Sequence, residues 1–445
     1  MINQAKFRVP AWPIVLALGL LVAVLTTYRT TTAVPAAPEA NPVWGNATLL
    51  SGTGQDGRKP RIAASPDGSR VLVVYINEND DDPYYTISTN QGQTWPPATK
   101  INASIDVSAQ VIGAFDGSNK AFAIWVEKIT PQLNRLVFAS KTGSNNWTSP
   151  VIITTSYEII DPSVFLDQRN TLHLVWVQEQ PARVHYAYLT SGSSSWSTPI
   201  SVENVPGGDS SEPAVVVDRN DRLYLAWSND AGTFGDEQEV VFSRGTVSGT
   251  PAAPVWNPQI QNWPLSPADM PIAAHAVMGA SGNNLHIAYT RKIDIPDPTA
   301  NDKQDIFYAT CAMPCDTLDS SDFRTISGAL VEVNGSDPSE VVAALAVDSQ
   351  RGAAYITFSG IVTTLLNPNE VIQGIQSCDG WASGSLPYII ENNPDYRFIK
   401  PAMTISQGWM HLVFDRISSD TTHEIFHRRA SVSCPATLLL PIIRK

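Results

Sequence analysis

PSVFLDQRNTLHLVW, residues 162–176, reads as one β-hairpin. A first strand opens on Pro and closes on Asp, DQRN (167–170) supplies a polar turn, and LHLVW (172–176) runs to a closing Trp. β-Branched and aromatic residues suit strands, and short polar side chains stabilise tight turns. The second strand recurs as VLVVY (71–75), AFAIW (121–125), LYLAW (223–227), LHIAY (285–289), AYITF (354–358) and MHLVF (410–414). The closing aromatics Tyr75, Trp125, Trp176, Trp227, Tyr289, Phe358 and Phe414 stand 50, 51, 51, 62, 69 and 56 residues apart. No stretch after residue 30 keeps a helical period. Seven such units predict an all-β fold, a seven-bladed β-propeller of four-stranded antiparallel blades.

Each unit carries its other strands in the same order. Inner strands read PSVFLD (162–167), PAVVVD (213–218) and AALAVD (343–348). Third strands follow at RLVFAS (135–140), VHYAYL (184–189), VVFSR (240–244) and IFYAT (306–310). A fourth strand opens on an aromatic at Trp95, Trp147, Trp196, Trp256, Phe323 and Trp381. The seventh unit lacks this aromatic, and its counterpart, Trp44 in VWGNATLL (43–50), lies at the other end of the chain. An N-terminal strand paired beside 424–430 would close the ring and remove an open sheet edge.

STNQGQTW (88–95) resembles the Asp-box turn of the sialidase (neuraminidase) superfamily, whose propellers carry BNR repeats. Ser88, Gly92, Thr94 and Trp95 match the pattern, and Asn90 stands where the family has Asp. SKTGSNNW (140–147) and LTSGSSSW (189–196) read as degraded copies, and the resemblance spans about 43–434. In that family the turn is structural and lies opposite the active face. Sialidases proper have six blades, which is the alternative to the seven counted here. Their catalytic set is three Arg that grip a carboxylate, an Asp acid/base and a Tyr nucleophile paired with Glu. Carried over, Arg61 in Pro60-Arg61-Ile62 matches the first Arg, with its Pro on the other side of the family motif. Asp80, Asp81 and Asp82 occupy the place of the acid/base, and Arg291 and Arg416 follow closing aromatics. Tyr396 is the candidate nucleophile, and no Glu carries a matching motif.

In a propeller, the loops before each first strand and after each second strand gather on one face around the channel. That face is expected to carry Lys59, Glu78, Glu127, Asp161, Glu179, Glu212, Asp230, His275 and Lys400 beside the arginines. Mixed charges around a channel suit a polar ligand, since carboxylates bind sugar hydroxyls and guanidinium groups take carboxylates. His173, His286 and His411 share a register with Phe122, Tyr224 and Tyr355, which marks a packing position and not a metal set. No cofactor is expected; the acidic loop NENDDDP (77–83) offers oxygen ligands for Ca²⁺ as an alternative.

Composition narrows the partners. The chain is 43% hydrophobic and 16% charged, with a net charge of −13, which argues against nucleic acid and anionic lipid. Lys6 and Arg8 precede the uncharged run WPIVLALGLLVAVLTT (12–27), so residues 1–30 read as either a cleaved secretory signal or a retained anchor. Residues 31–42 form a linker, 43–434 the propeller and 435–445 an apolar tail. An extracytoplasmic location suits four cysteines, with Cys311 and Cys315 spaced for a small bridge and Cys378 and Cys434 either paired or free. The expected protein is a monomer that binds a glycan or an extracellular protein on its top face without catalysis. The alternatives are an exo-α-sialidase-type glycoside hydrolase and a structural subunit of a membrane-anchored assembly.

Overall fold

The computed structural model describes residues 41–101, 106–144, 146–178, 182–202, 208–218, 220–230, 239–250, 253–257, 263–264, 273–293, 303–315, 322–325, 344–364, 367–378, 387–418 and 421–434. The N-terminal segment 1–30, Glu179, Trp381 and the tail 435–445 lie outside these residues. Seven antiparallel sheets follow one another along the chain. Blade 1 comprises Gly57–Ala64, Val71–Asn77, Asp82–Ser88 and Thr99–Lys100. Blade 2 comprises Val107–Phe115, Ala121–Thr130, Leu133–Lys141 and Val151–Ser156. Blade 3 comprises Ile159–Leu166, Leu172–Gln178, Arg183–Leu189 and Ile200–Ser201. Blade 4 begins with Ser210–Val217, Arg222–Asn229 and Glu239–Thr250. Blade 5 comprises Ala273–Ser281, Asn284–Ile293, Lys303–Ala312 and Arg324–Thr325. Blade 6 comprises Ala344–Asp348, Ala353–Thr364, Asn367–Ser377 and Tyr388–Glu391. Blade 7 has Arg397–Ser406, Trp409–Ile417 and His423–Ser431 from the end of the chain.

Its fourth strand is N-terminal. Thr48 pairs with His427 and Leu49 with Phe426, and Trp44 bridges Ala430. Trp44 is half-buried and packs with Tyr388 and Ile390 of blade 6. The other fourth-strand aromatics also lean on a neighbouring blade: Trp147 meets Tyr85 edge-on, Trp196 meets Phe138, and Trp95 meets His427. Blade 4 departs from the expected register. Residues 253–257, which include Trp256, pair with 246–250 as an extension of the third strand. The short strand in the usual place is Trp263–Pro264, paired with Phe242 and Val241.

The closing aromatics explain why the repeat holds. All seven are at most 1% exposed. Each belongs to a different apolar cluster, and each cluster joins two adjacent blades, the seventh joining blade 7 to blade 1 through Tyr75, Val413 and Ile425. Full burial of such a side chain contributes roughly 3 kcal/mol, so the ring is held by seven equivalent cores. At the inner hairpins the closing Asp caps the turn: Asp167 Oδ1 accepts the N–H groups of Arg169 and Thr171, and Asp116 and Asp218 do the same in their blades. Two disulfides are formed, Cys311–Cys315 within blade 5 and Cys378–Cys434 between blades 6 and 7.

Residues 88–95 form a tight turn. Ser88 Oγ accepts the N–H of Gly92 at 2.8 Å, and Asn90 Oδ1 accepts that of Thr94 at 3.0 Å. Gly92 has φ +72°, and a Cβ there would lie 2.8 Å from His411 Nδ1, so only Gly fits. Gly143 and Gly192, in the two related stretches, also have positive φ. The second-strand histidines are buried: His173 bonds Tyr186 and Asp167, His286 bonds Ser281 and Tyr308, and His411 bonds His427.

Candidate functional site

Among the described residues six of the seven inner strands break register near their start, and that irregularity builds the site. In blade 1 the shift falls between Arg58 and Arg61, in blade 3 between Ile160 and Ser163, and in blade 4 between Ser211 and Ala214. Blades 5 and 7 repeat it between Ala274 and Val277 and between Ile399 and Ala402. The bulged residues Lys59, Asp161, Glu212, His275 and Lys400 have φ of 54°, 50°, 52°, 59° and 52°. This left-handed conformation costs a non-glycine residue roughly 1–2 kcal/mol. Glycine would adopt it freely, yet none of the five is glycine. Pro follows at four of the five, where a bulge tolerates the missing N–H.

These five side chains and Gln110, their counterpart in blade 2, surround a cavity of about 650 Å³ in the central channel. They form a collar whose first four members in sequence, Lys59, Gln110, Asp161 and Glu212, stand 51 residues apart. The blade 6 counterpart, Val342, lies outside the described residues. Gln110 was not among the residues anticipated from sequence, although this spacing identifies it.

The collar is bonded from blade to blade. Gln110 Oε1 accepts the N–H of Asp161 at 2.6 Å, and Gln110 Nε2 donates to Asp161 Oδ1 at 3.0 Å. Asp161 Oδ2 accepts the N–H of Glu212 at 3.2 Å. Glu212 Oε2 accepts the N–H of His275 at 3.1 Å, and Glu212 Oε1 lies 2.5 Å from His275 Nδ1. Thus the acid side of the collar is internally bonded. Burial raises the Asp161 pKa and the Glu212 charge adds to this, opposed by the Gln110 bond, the Glu212 N–H and Arg61.

Two residues deeper, a second ring of seven lines the cavity: Arg61, Ile112, Ser163, Ala214, Val277, Ala344 and Ala402. Six are uncharged and one is an arginine. Arg61 is exposed to the channel and donates to the Pro60 carbonyl at 3.1 Å. Although its side chain faces the open channel, the protein walls around it desolvate the guanidinium and lower its pKa, with Asp161 and Glu212 acting in the opposite sense. No carboxylate is paired with Arg61, Lys59 or Lys400 among the described residues. Burial holds Lys59 below the ordinary lysine pKa, Lys400 adds to this, and Glu78 and Asp161 oppose it. Below the collar the lining turns apolar, with Ile62, Phe165, Met278 and Met403. The cavity therefore offers unpaired cations along blades 7 and 1, satisfied carboxylates across from them, and an apolar floor.

The remaining candidates are placed elsewhere. Arg416 bonds Glu424, with Nε at 3.1 Å, and its guanidinium is sandwiched 4.2 Å from the Tyr396 ring and 4.1 Å from that of Phe426. Arg291 pairs with Ala273 and Asp305 through its backbone, and its side chain lies outside the described residues. Asp80 and Asp82 both pair with Lys100, the former at 2.9 Å, and Asp81 forms the hairpin tip at φ 52°. Glu78 pairs with Arg58, Glu127 with Arg135, and Asp230 accepts the Asp209 N–H. Arg291 aside, none of these residues lines the cavity, and neither does any Tyr among the described residues. Among those residues no group of three His, Cys, Asp or Glu could hold a metal ion.

No protein-family model matches the chain, and no curated protein matches it. Solved structures do match. The Penicillium chrysogenum alpha-L-arabinanase complexed with arabinobiose is 10% identical, with a TM-score of 0.47 over 87% of this chain and 98% of that one. The intramolecular trans-sialidase from Ruminococcus gnavus is 9% identical, with a TM-score of 0.47 over 89% and 98%. A puromycin hydrolase is 11% identical, with a TM-score of 0.50 over 82% of this chain and 53% of that one. At these identities the likeness concerns fold alone, and the fold of this chain is a β-propeller with seven blades.

Proposed function

We propose that this chain is an exported glycan-binding propeller, which holds a saccharide in the mouth of its central channel and does not turn it over. One observation carries the reading. Five charged or ionisable side chains are kept in a strained backbone conformation, in equivalent places, around one cavity. Strain repeated at a pocket marks a functional constraint. Donors and acceptors over an apolar floor suit a polyhydroxylated ligand, and about 650 Å³ is the volume of a small-molecule site.

A second reading, glycoside hydrolysis, rests on the adjacent carboxylates Asp161 and Glu212. A raised pKa on one of two neighbouring carboxylates is the pattern of an acid/base pair. Against it, every oxygen of both carboxylates already lies against a neighbouring side chain or backbone N–H.

Calorimetric titration of the full chain with a panel of oligosaccharides, alongside Arg61→Met and Glu212→Gln, separates these readings. Binding without release of new reducing ends, weakened tenfold or more in Arg61→Met, is the expected result. No binding to any saccharide, or binding indifferent to both substitutions, would overturn the proposal. Release of reducing ends that is lost in Glu212→Gln would establish the hydrolase instead.

A further inference from the structure

Blades 3, 5 and 7 carry a buried histidine at one register position of the second strand, and the blade 7 copy has a different partner. His173 meets the hydroxyl of Tyr186 at 2.8 Å, and His286 meets that of Tyr308 at 2.6 Å. In blade 7 a second imidazole takes the tyrosine's place. His411 Nδ1 lies 3.3 Å from His427 Nε2, and the two rings stack at 5.5 Å. Both are buried, on the face that Val413 and Ile425 pack against blade 1. The turn 88–95 of blade 1 closes over the pair. Trp95 Nε1 donates to His427 Nδ1 at 3.3 Å, Arg429 Nη1 donates to the Gln91 carbonyl at 2.8 Å, and Gly92 packs against His411. His427 is also the backbone partner of Thr48 in the strand that closes the ring.

These bonds assign the protons. An indole N–H only donates, so His427 Nδ1 is bare and the ring carries its proton on Nε2, which donates to His411 Nδ1. That nitrogen is bare in turn. A proton added to either ring therefore meets another N–H, that of Trp95 or that of His427. In blades 3 and 5 the partner is a hydroxyl, which turns to accept from an imidazolium as readily as it donates to an imidazole. Asp167 also compensates His173. The blade 7 pair has no such relief. The charged side chain acting on it is Arg429, another cation, and no carboxylate bonds either ring among the described residues.

We propose that the His411–His427 pair makes the seam between blades 7 and 1 an acid-released latch. With both rings neutral, the turn 88–95 and the closing strand are held on blade 7. A proton on either ring breaks the chain from Trp95 through His427 to His411 and frees them, while the hydroxyl-partnered seams of blades 3 and 5 hold. Burial and the neighbouring cations keep the folded rings below the ordinary histidine value, His411 at about 4 and His427 at about 3, so the opened seam takes up protons first. The latch is complete above pH ~6.5, and each ring favours opening by up to about tenfold per pH unit on the way down to 4.

Hydrogen exchange of the full chain tests this, read by mass spectrometry at pH 7.5 and 5.0 and corrected for the intrinsic rate at each pH. In wild type the protection of segments 88–95 and 423–431 should fall by roughly a hundredfold or more. The loss in segment 172–189, which holds His173 and Tyr186, should be at least about tenfold smaller, since one compensated ring titrates there. His427→Tyr installs the partner used in blades 3 and 5 and should shrink the loss at 88–95 by about tenfold or more. Where that variant does not fold, His427→Gln, whose amide both donates and accepts, carries the same comparison. Full protection of 88–95 at pH 5.0 in wild type would overturn the latch. So would an equal loss in 172–189, or a loss at 88–95 that neither substitution reduces.

Discussion

The carboxylate of Asp161 accepts the backbone N–H of Glu212 at 3.2 Å, across the boundary between blades 3 and 4. This bond serves a strained residue, since Glu212 has φ 52° and its N–H has left the strand ladder at the bulge. Asp161→Ala should leave a largely enclosed N–H unpaired and cost about 1–3 kcal/mol. Asp161→Asn keeps the acceptor and should cost less. Urea unfolding of both variants checks this; equal losses would mean that the bond contributes nothing beyond packing.

Ring closure gives a second expectation. Trp44 fills the same niche as the other fourth-strand aromatics but is half-buried, so Trp44→Ala should destabilise by about 2–3 kcal/mol, below the ~3–5 of a fully buried Trp. The unfolding midpoint of the full chain reports it. A loss no larger than that of an exposed substitution such as Val43→Ala would count against closure by this strand.

Stability should fall in mild acid because three buried histidines remain neutral in the fold. Burial pushes His286 and His411 down to about 4 and His427 to about 3, the last with help from His411 and Arg429. These values lie below that of an unfolded histidine, about 6.5, so the unfolded chain takes up the protons first. The contribution is complete above pH ~6.5 and declines as pH drops towards 4, by at most ~1.4 kcal/mol per pH unit for each group. Denaturant midpoints between pH 7 and 4.5 should decrease steadily, with a shallower slope in His286→Gln. A flat profile would contradict the neutral assignment.

Export, part of the proposed function, predicts oxidised cysteines in protein taken from its own compartment. Non-reducing mass spectrometry should find Cys311 joined to Cys315 and Cys378 to Cys434. The second bridge closes a separation of 56 residues and ties blade 6 to the end of blade 7. Its reduction should cost about 4 kcal/mol on the loop-entropy account. Free thiols at all four positions would argue against an oxidising compartment.

The blades were legible in the sequence because a closing aromatic is buried between the same pair of strands every time. The Trp44 displacement was legible for the same reason, since a missing repeat element must be supplied from elsewhere. Blade 4 was not: Trp256 has the right residue type, but the third strand runs on to Thr250 and its hairpin extension captures Trp256, leaving Trp263 at the usual register. For the site, collar residues such as Asp161, Glu212 and Lys400 could be read from their place before the inner strand. Their bonding could not, because it depends on a bulge that turns each side chain towards the next blade's N–H. Glu127 and Asp230 occupy comparable positions by count, yet Arg135 and the Asp209 N–H engage them locally.

The last prediction concerns sialidase chemistry. An exo-sialidase holds its substrate carboxylate while positive charge develops at the anomeric carbon, which requires converging cations, a nucleophile and an acid in one pocket. Arg61 is in the cavity, but Arg416 is held between Tyr396 and Phe426 and bonded to Glu424. Tyr396, the candidate nucleophile, thus faces a guanidinium and not the channel. Asp80 and Asp82, the candidate acids, are paired with Lys100. Moving Arg416 into the cavity would break its ion pair with Glu424, and moving Asp80 or Asp82 would break one of the two ion pairs of Lys100. A fluorogenic sialoside should therefore show no turnover between pH 4 and 8, while Arg61→Ala should weaken saccharide binding. Turnover that disappears in both Arg61→Ala and Tyr396→Phe would overturn this and require a rearrangement of blade 7 around Arg416.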